Sequence, residues 1–213
     1  MGEIVFVRHG QANSAATTEA DYDRLTPLGH QQARWLGDWM GVHEPSFDHV
    51  LSGTLRRQRE TVAGLGLSAD EDPRLNELDY YTLAASIQAV KGVPLPGPDG
   101  FADHMPRVFA AWHAQEIEGT ETYERFEGRV REMLDEAAVP GRRLLCVTSA
   151  GVIGMTLRLL LDLDLLKMAQ VMLPIMNSSI HRIRVAPDRT FLVAYNVTPH
   201  LDPPERADAR TFY

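Results

Sequence analysis

Two short runs, Ile4-Val5-Phe6-Val7 and Leu144-Leu145-Cys146-Val147, contain no polar residue, and each stops abruptly. A strand with one wet face alternates polar and apolar side chains. A strand apolar at every position is buried on both faces, which belongs to a parallel sheet covered by helices on either side. The first run ends at Arg8-His9-Gly10. The second runs through Thr148-Ser149-Ala150-Gly151 into a helix starting near Val152.

Between these anchors, helical and extended patterns alternate. Thr26-Pro27-Leu28-Gly29 opens a helix with Ala33, Leu36 and Met40 on one face; Thr26 caps it, and Pro27 stands at the first helical position, where a missing amide hydrogen costs nothing. His49-Val50-Leu51-Ser52 reads as a strand, Thr54 to Leu65 as a helix, and Leu75 to Leu78 as a brief extended piece. Residues 92–106 are rich in Gly and Pro and read as a loop or lid. Thr122 to Ala138 is amphipathic through Phe126, Val130 and Met133 or Leu134, and Ile180 to Val185 and Thr190 to Val197 are β-type runs. The pattern predicts an α/β fold: a three-layer α/β/α sandwich with a mostly parallel central sheet. A single domain, 1–213, carries a small helical or loop cap inserted at about 78–120.

A chain of 213 residues buries about 70% of its unfolded surface and needs no staples. The lone cysteine, Cys146, excludes an internal disulfide framework and reads as an inert core thiol in a reducing compartment. With 21 basic and 29 acidic residues, the net charge of −8 argues against nucleic acid as the partner. No basic stretch precedes a long apolar run at the N-terminus. The longest apolar stretch, Ile153 to Met176, is broken by Arg158, Asp162, Asp164 and Lys167, which no membrane-spanning helix accepts so freely. The expectation is a soluble, cytoplasmic protein that binds no membrane.

In open parallel sheets, ligands gather at the carboxyl ends of strands. Arg8-His9-Gly10, Ser52 to Arg57, Glu77 and Thr148 to Gly151 each follow a strand-like run, so the fold predicts their convergence. Arginine forks bind phosphate oxygens bidentately, a neutral imidazole can attack phosphorus, and a carboxyl group can protonate a leaving oxygen. That set is suited to phosphoryl transfer.

Val5-Phe6-Val7-Arg8-His9-Gly10-Gln11-Ala12-Asn13 resembles the motif of the histidine phosphatase superfamily, the phosphoglycerate-mutase-like group. The resemblance continues through Leu25 to Ala33, Ser52-Gly53-Thr54-Leu55-Arg56-Arg57-Gln58-Arg59-Glu60-Thr61, Arg74-Leu75-Asn76-Glu77, Glu121 to Leu134, Leu144 to Ile153, Asn177 to Ile180 and Asn196 to Leu201. It implies that His9 is the phosphorylated nucleophile, that Arg8 and Arg57 clamp the phosphoryl group with help from Asn13 or Gln11, and that Glu77 is the general acid and base. It also implies that neither a metal nor a cofactor is needed. The expected substrate is a small-molecule or phosphoprotein phosphomonoester.

Two departures stand out. Where the family places a second histidine in Ser-His-Gly-Gly, this chain has Thr148-Ser149-Ala150-Gly151. Ser149 can donate a hydrogen bond, and amides at Ala150 and beyond can help cradle an anion, but no formal charge is added. Losing a charge-assisted contact costs about 1.5–3 kcal/mol, roughly ten- to a hundred-fold in rate. The reading is therefore a phosphatase of reduced activity, with a non-catalytic phospho-ligand or interaction module and a mutase as alternatives. After Glu77 the chain runs Leu78-Asp79-Tyr80-Tyr81 rather than the family's glycine and Trp-Glu-Gly, so specificity does not transfer.

Other residues read more simply. Arg56 and Arg59 belong to a solvated helix face, and His30 to the surface. His104 and His113 lie in the cap, where either can line a pocket; His200 can close the site or merely pack. Met168, Met172 and Met176 recur at helical spacing and read as core, with a homodimer face as the alternative. Phe101, Trp112 and Tyr123 read as cap packing.

Overall fold

The computed structural model describes residues 1–13, 15–97 and 100–212. Six strands, β1 (Gly2–Arg8), β2 (His49–Ser52), β3 (Asp70–Glu71), β4 (Arg143–Thr148), β5 (Ile180–Val185) and β6 (Thr190–Val197), form one sheet in the order β3-β2-β4-β1-β5-β6. β1, β2, β3 and β4 are parallel neighbours; β5 runs antiparallel to β1, and β6 antiparallel to β5.

The two apolar runs sit side by side at the centre, Ile4 opposite Leu144 and Val7 opposite Val147. Their side chains alternate between two cores, as the pleat requires. Val5, Val7, Leu145 and Val147 face α2 (Pro27–His43) and α3 (Arg56–Gly64), meeting Leu36, Met40 and Val62. Ile4, Phe6, Leu144 and Cys146 face the opposite layer, built from α4 (Tyr80–Lys91), α5 (Phe101–His113), α6 (Tyr123–Ala137), α7 (Ala150–Leu161) and α8 (Leu165–Met172). The result is the three-layer sandwich expected from the sequence.

Thr26 caps α2 by accepting a 3.0 Å bond from the Gly29 amide, with Pro27 at the first helical position. Met168 and Met172 are buried in the core, which leaves that pair no role on a surface. Cys146 is fully buried, and burial pushes its thiol well up from the ordinary value.

Two expectations are corrected. Residues 75–78 are not a strand: a 3₁₀ turn, Pro73–Leu75, closes there, and the edge strand is the acidic pair Asp70–Glu71, paired with Leu51 and Ser52. The loop expected over 92–106 ends at Gly100, and α5 runs on through Pro106; Pro98 and Asp99 lie outside the described residues. An interior proline costs a helix about 3 kcal/mol. Met105, Val108, Phe109 and Trp112 bury one continuous face of α5, and each is worth about 1.5–3 kcal/mol, so packing wins. No helix among the described residues is long and apolar enough to cross a membrane.

Candidate active site

The carboxyl ends of β1, β2 and β4 bring the expected residues together. The His9 amide bonds to the Thr148 carbonyl (2.9 Å) and the Gly53 amide to the Val147 carbonyl (3.1 Å), so the turns leaving all three strands touch. Gly10 lies flat on α2: a Cβ there would come within 2.4 Å of the Gly29 carbonyl oxygen. The Gly10 amide donates to Thr61 Oγ1 (3.1 Å), and the Thr61 hydroxyl donates to the Arg57 carbonyl (2.7 Å). The turn bearing His9 is thus tied to the helix bearing Arg57.

His9 is buried, and its Nδ1 lies 2.8 Å from the Gly10 carbonyl oxygen. A carbonyl only accepts, so Nδ1 carries the proton and Nε2 the lone pair. Burial, reinforced by Arg57 and Arg8, holds the imidazole well below its ordinary pKa and therefore neutral. A neutral imidazole with an unprotonated Nε2 is the form that attacks an electrophile.

Arg8 and Arg57 are both buried. Arg8 donates through Nη1 to the Ile175 carbonyl; burial pulls its pKa down, partly offset by Tyr22 and Glu77, yet a guanidinium stays charged at neutral pH. Burial also works against the Arg57 cation, but Tyr22, Glu19 and Glu77 outweigh it and hold that pKa up. Arg57 Nη1 donates to Glu19 Oε1 (2.7 Å) and Asp23 Oδ1 (3.1 Å). Among the described residues, Arg8 Nε and Arg57 Nε and Nη2 are buried donors with no acceptor. An unmatched buried donor is expensive, and the oxygens of an anion would satisfy all three.

Glu77 enters from the turn after the 3₁₀ segment. Its carboxylate accepts from the Gly151 amide (2.9 Å) and the Leu78 amide (3.1 Å). The Gly151 amide is thereby used and does not cradle a ligand. Ser149 is buried at the start of α7 and accepts a 3.0 Å bond from Gln58 Nε2, which also donates to the Leu75 carbonyl (3.0 Å). Ala150 follows as the first residue of α7. Gln11 turns its Oε1 to the Thr26 hydroxyl (2.8 Å), and Asn13 donates from Nδ2 to the Asp21 carbonyl (3.2 Å). Both amide side chains thus hold neighbouring segments.

Three other histidines have surroundings of their own. His104 is buried against the Tyr80 hydroxyl (Nδ1 to oxygen, 2.8 Å), and His113 is exposed beside the Tyr123 ring. His200 Nε2 lies 2.8 Å from Ser178 Oγ, in the segment whose amide at Ser178 bonds to the His9 carbonyl. His200 therefore packs behind the turn that bears His9. Arg56 and Arg59 project outward into pairs with Glu60 and Glu71. Among the described residues, no group of three His, Cys, Asp or Glu side chains is placed to hold a metal ion.

Sequence reasoning missed Gln58, Thr61 and Gln32, which carry no chemistry but fix the residues that do. Gln32 accepts from the Gln11 amide (2.7 Å) and donates to the Ala209 carbonyl (2.7 Å). A signal existed: Gln58 and Thr61 fall on the face of α3 that also carries Val62, and polar residues on an apolar face mark internal hydrogen bonds.

Comparison with known proteins places this geometry. The model of the histidine phosphatase superfamily, branch 1, matches residues 4–198. The chain belongs to that superfamily. Its match to an uncharacterised protein of Mycobacterium leprae is 35% identical over 74 residues, 33% of this chain but only 46% of the relative. Among solved structures, the product of an open reading frame of Mycobacterium tuberculosis superposes with a TM-score of 0.69 at 20% identity, over 92% of this chain and 98% of that one. A mycobacterial glucosyl-3-phosphoglycerate phosphatase gives 0.64 at 21%, covering 92% and 99%. A phosphoserine phosphatase from Entamoeba histolytica, in complex with 3-phosphoglyceric acid, gives 0.67 at 17%, covering 94% and 100%. At such identities the superpositions establish a common histidine-phosphatase fold.

Proposed function

We propose that this chain hydrolyses phosphomonoesters by passing the phosphoryl group to His9 and then to water. The observation that carries this reading is the set of acceptorless guanidinium nitrogens on Arg8 and Arg57, buried beside an imidazole that keeps Nε2 unprotonated. Superfamily membership and phosphatase neighbours support hydrolysis as the reaction class.

His9 Nε2 attacks phosphorus while Arg8 and Arg57 bind the equatorial oxygens; the bond from phosphorus to the leaving oxygen breaks, and Glu77 gives that oxygen a proton. Water then attacks the phosphohistidine, Glu77 takes the proton back, and the phosphorus–nitrogen bond breaks to release phosphate. Ser149 supplies a hydroxyl and Ala150 the amide after it, with Gln11 and Asn13 shaping the rim. Because Ser149 brings no charge, Arg8 and Arg57 carry the positive charge that faces the transferred group. The substrate is a small-molecule or phosphoprotein phosphomonoester.

The test is turnover of an aryl phosphate by wild type and His9→Ala, with circular dichroism as the control for folding. The wild type turns over and the variant does not; a folded His9→Ala that retains wild-type turnover would refute the assignment.

A further inference from the structure

The short helix α1 (Glu19–Tyr22) has no buried residue, yet it lies over Arg57, whose guanidinium is fully buried. Arg57 is 0% exposed, His9 1% and Arg8 4%. The Tyr22 ring lies 4.7 Å from the Arg57 guanidinium carbon and edge-on to His9 at 6.4 Å. In this arrangement His9 and Arg57 are closed to solvent.

What holds α1 down is the Tyr22 ring, set over Arg57 and beside His9 and Tyr81, together with a few polar contacts. The Glu19 carboxylate takes Arg57 Nη1 at 2.7 Å, Asn13 holds the Asp21 carbonyl at 3.2 Å, and the Tyr81 hydroxyl holds the Ala16 carbonyl at 3.2 Å. Asp23, by contrast, is anchored on α3, accepting from the amides of Arg56 (2.9 Å) and Arg57 (3.1 Å). Asp23 is thus tied to the α3 backbone, whereas the Glu19 carboxylate meets the Arg57 side chain. An element with no fully buried side chain opens more readily than the core.

Resting on the phosphatase reading, we propose that α1 is a lid and that Glu19 competes with the substrate's phosphoryl group for Arg57. A carboxylate oxygen 2.7 Å from Arg57 Nη1 makes the same kind of charge-assisted contact as a phosphoryl oxygen, so Glu19 draws on the guanidinium charge that an anion at Nε and Nη2 would use. The two anions repel each other across one cation in a site that excludes water, so phosphate binding drives Glu19 out. Glu19 retains about a third of its side-chain exposure when closed, and burial raises its pKa. Its carboxylate is incompletely solvated and regains water on opening, which lowers the barrier to release.

The experiment uses the full chain and Glu19→Gln, which keeps the side-chain length and removes the charge. Tungstate affinity is read by calorimetry, and hydrogen exchange at the Asp21 and Tyr22 amides, which bond to Thr18 at the start of α1, reports whether α1 loosens as it opens. The proposal expects tungstate to bind about ten-fold more tightly to Glu19→Gln, the scale of one charged hydrogen bond, and both amides to exchange faster. Unchanged or weaker tungstate binding by the variant overturns the competition and leaves Glu19 as a residue that orients Arg57. Exchange that responds to neither the variant nor saturating tungstate overturns the lid while the phosphatase reading stands. Failure of both proteins to bind tungstate refutes the anion site itself, and the competition with it.

Discussion

The Glu77 carboxylate occupies the space that a side chain at Gly151 would fill. A Cβ at position 151 would come within 2.0 Å of Glu77 Oε1, while the Gly151 amide holds Oε2 at 2.9 Å. Gly151 therefore both seats the proposed proton donor and leaves it room. Gly151→Ala pushes the carboxylate aside, and a displacement of this size costs about a hundred-fold in kcat, with KM little changed. The loss is larger for alkyl than for aryl phosphates, because a poor leaving group needs the proton more. Steady-state kinetics on both ester classes checks this, and a kcat equal to wild type on alkyl esters contradicts it.

Thr61 joins the two halves of the site, accepting from the Gly10 amide and donating to the Arg57 carbonyl. Thr61→Val keeps the shape and leaves a buried amide unpaired. The expected cost is about 1–3 kcal/mol, read as a lowered urea midpoint at an unchanged m-value. A variant as stable as wild type removes Thr61 from the framework of the site.

His181 and His200 are buried, and burial pushes each from 6.5 down to about 3. Below pH 6.5 the unfolded chain protonates them while the folded chain does not. Their contribution is thus fully present above about 6.5 and is lost progressively as pH falls toward about 3. Each histidine adds a slope of about 1.4 kcal/mol per pH unit within that window. Urea unfolding between about pH 4.5 and 6 is expected to show stability falling with pH. His200→Gln flattens the slope by about one histidine's share; an unchanged slope means that His200 is protonated in the folded state.

The central strands were legible because their apolar runs are bounded by polar residues, and His49–Ser52, Ile180–Val185 and Thr190–Val197 are strands over the expected residues. β3 was not, because Asp70 and Glu71 carry no apolar signal and owe their strand geometry to pairing with Leu51 and Ser52. α5 was hidden by Pro106, whose local penalty is outweighed only by burial in three dimensions. The meeting of Arg8, His9 and Ser149 followed from neighbouring strand ends in a parallel sheet, whereas Arg57 reaches them from α3 and Glu77 from the turn after the 3₁₀ segment, not from the strand expected there. Glu19 left no trace: an acidic residue in a polar segment reads as solvated, and its partner Arg57 is 38 residues away. The use of Gly151 as a seat for Glu77 was likewise unreadable, since it depends on a backbone amide 74 residues downstream.

The most direct test of the account is the site of covalent phosphorylation during turnover. Full-length protein is mixed with an aryl phosphate, quenched in alkali to preserve phosphohistidine, digested and mapped by mass spectrometry, with phosphorus NMR to separate the two ring isomers. The account predicts one phosphoryl group on His9, attached at Nε2, because the Nδ1 proton is held by the Gly10 carbonyl. A phosphoryl group at Nδ1 or on another residue, or turnover with no covalent intermediate under single-turnover conditions, contradicts it.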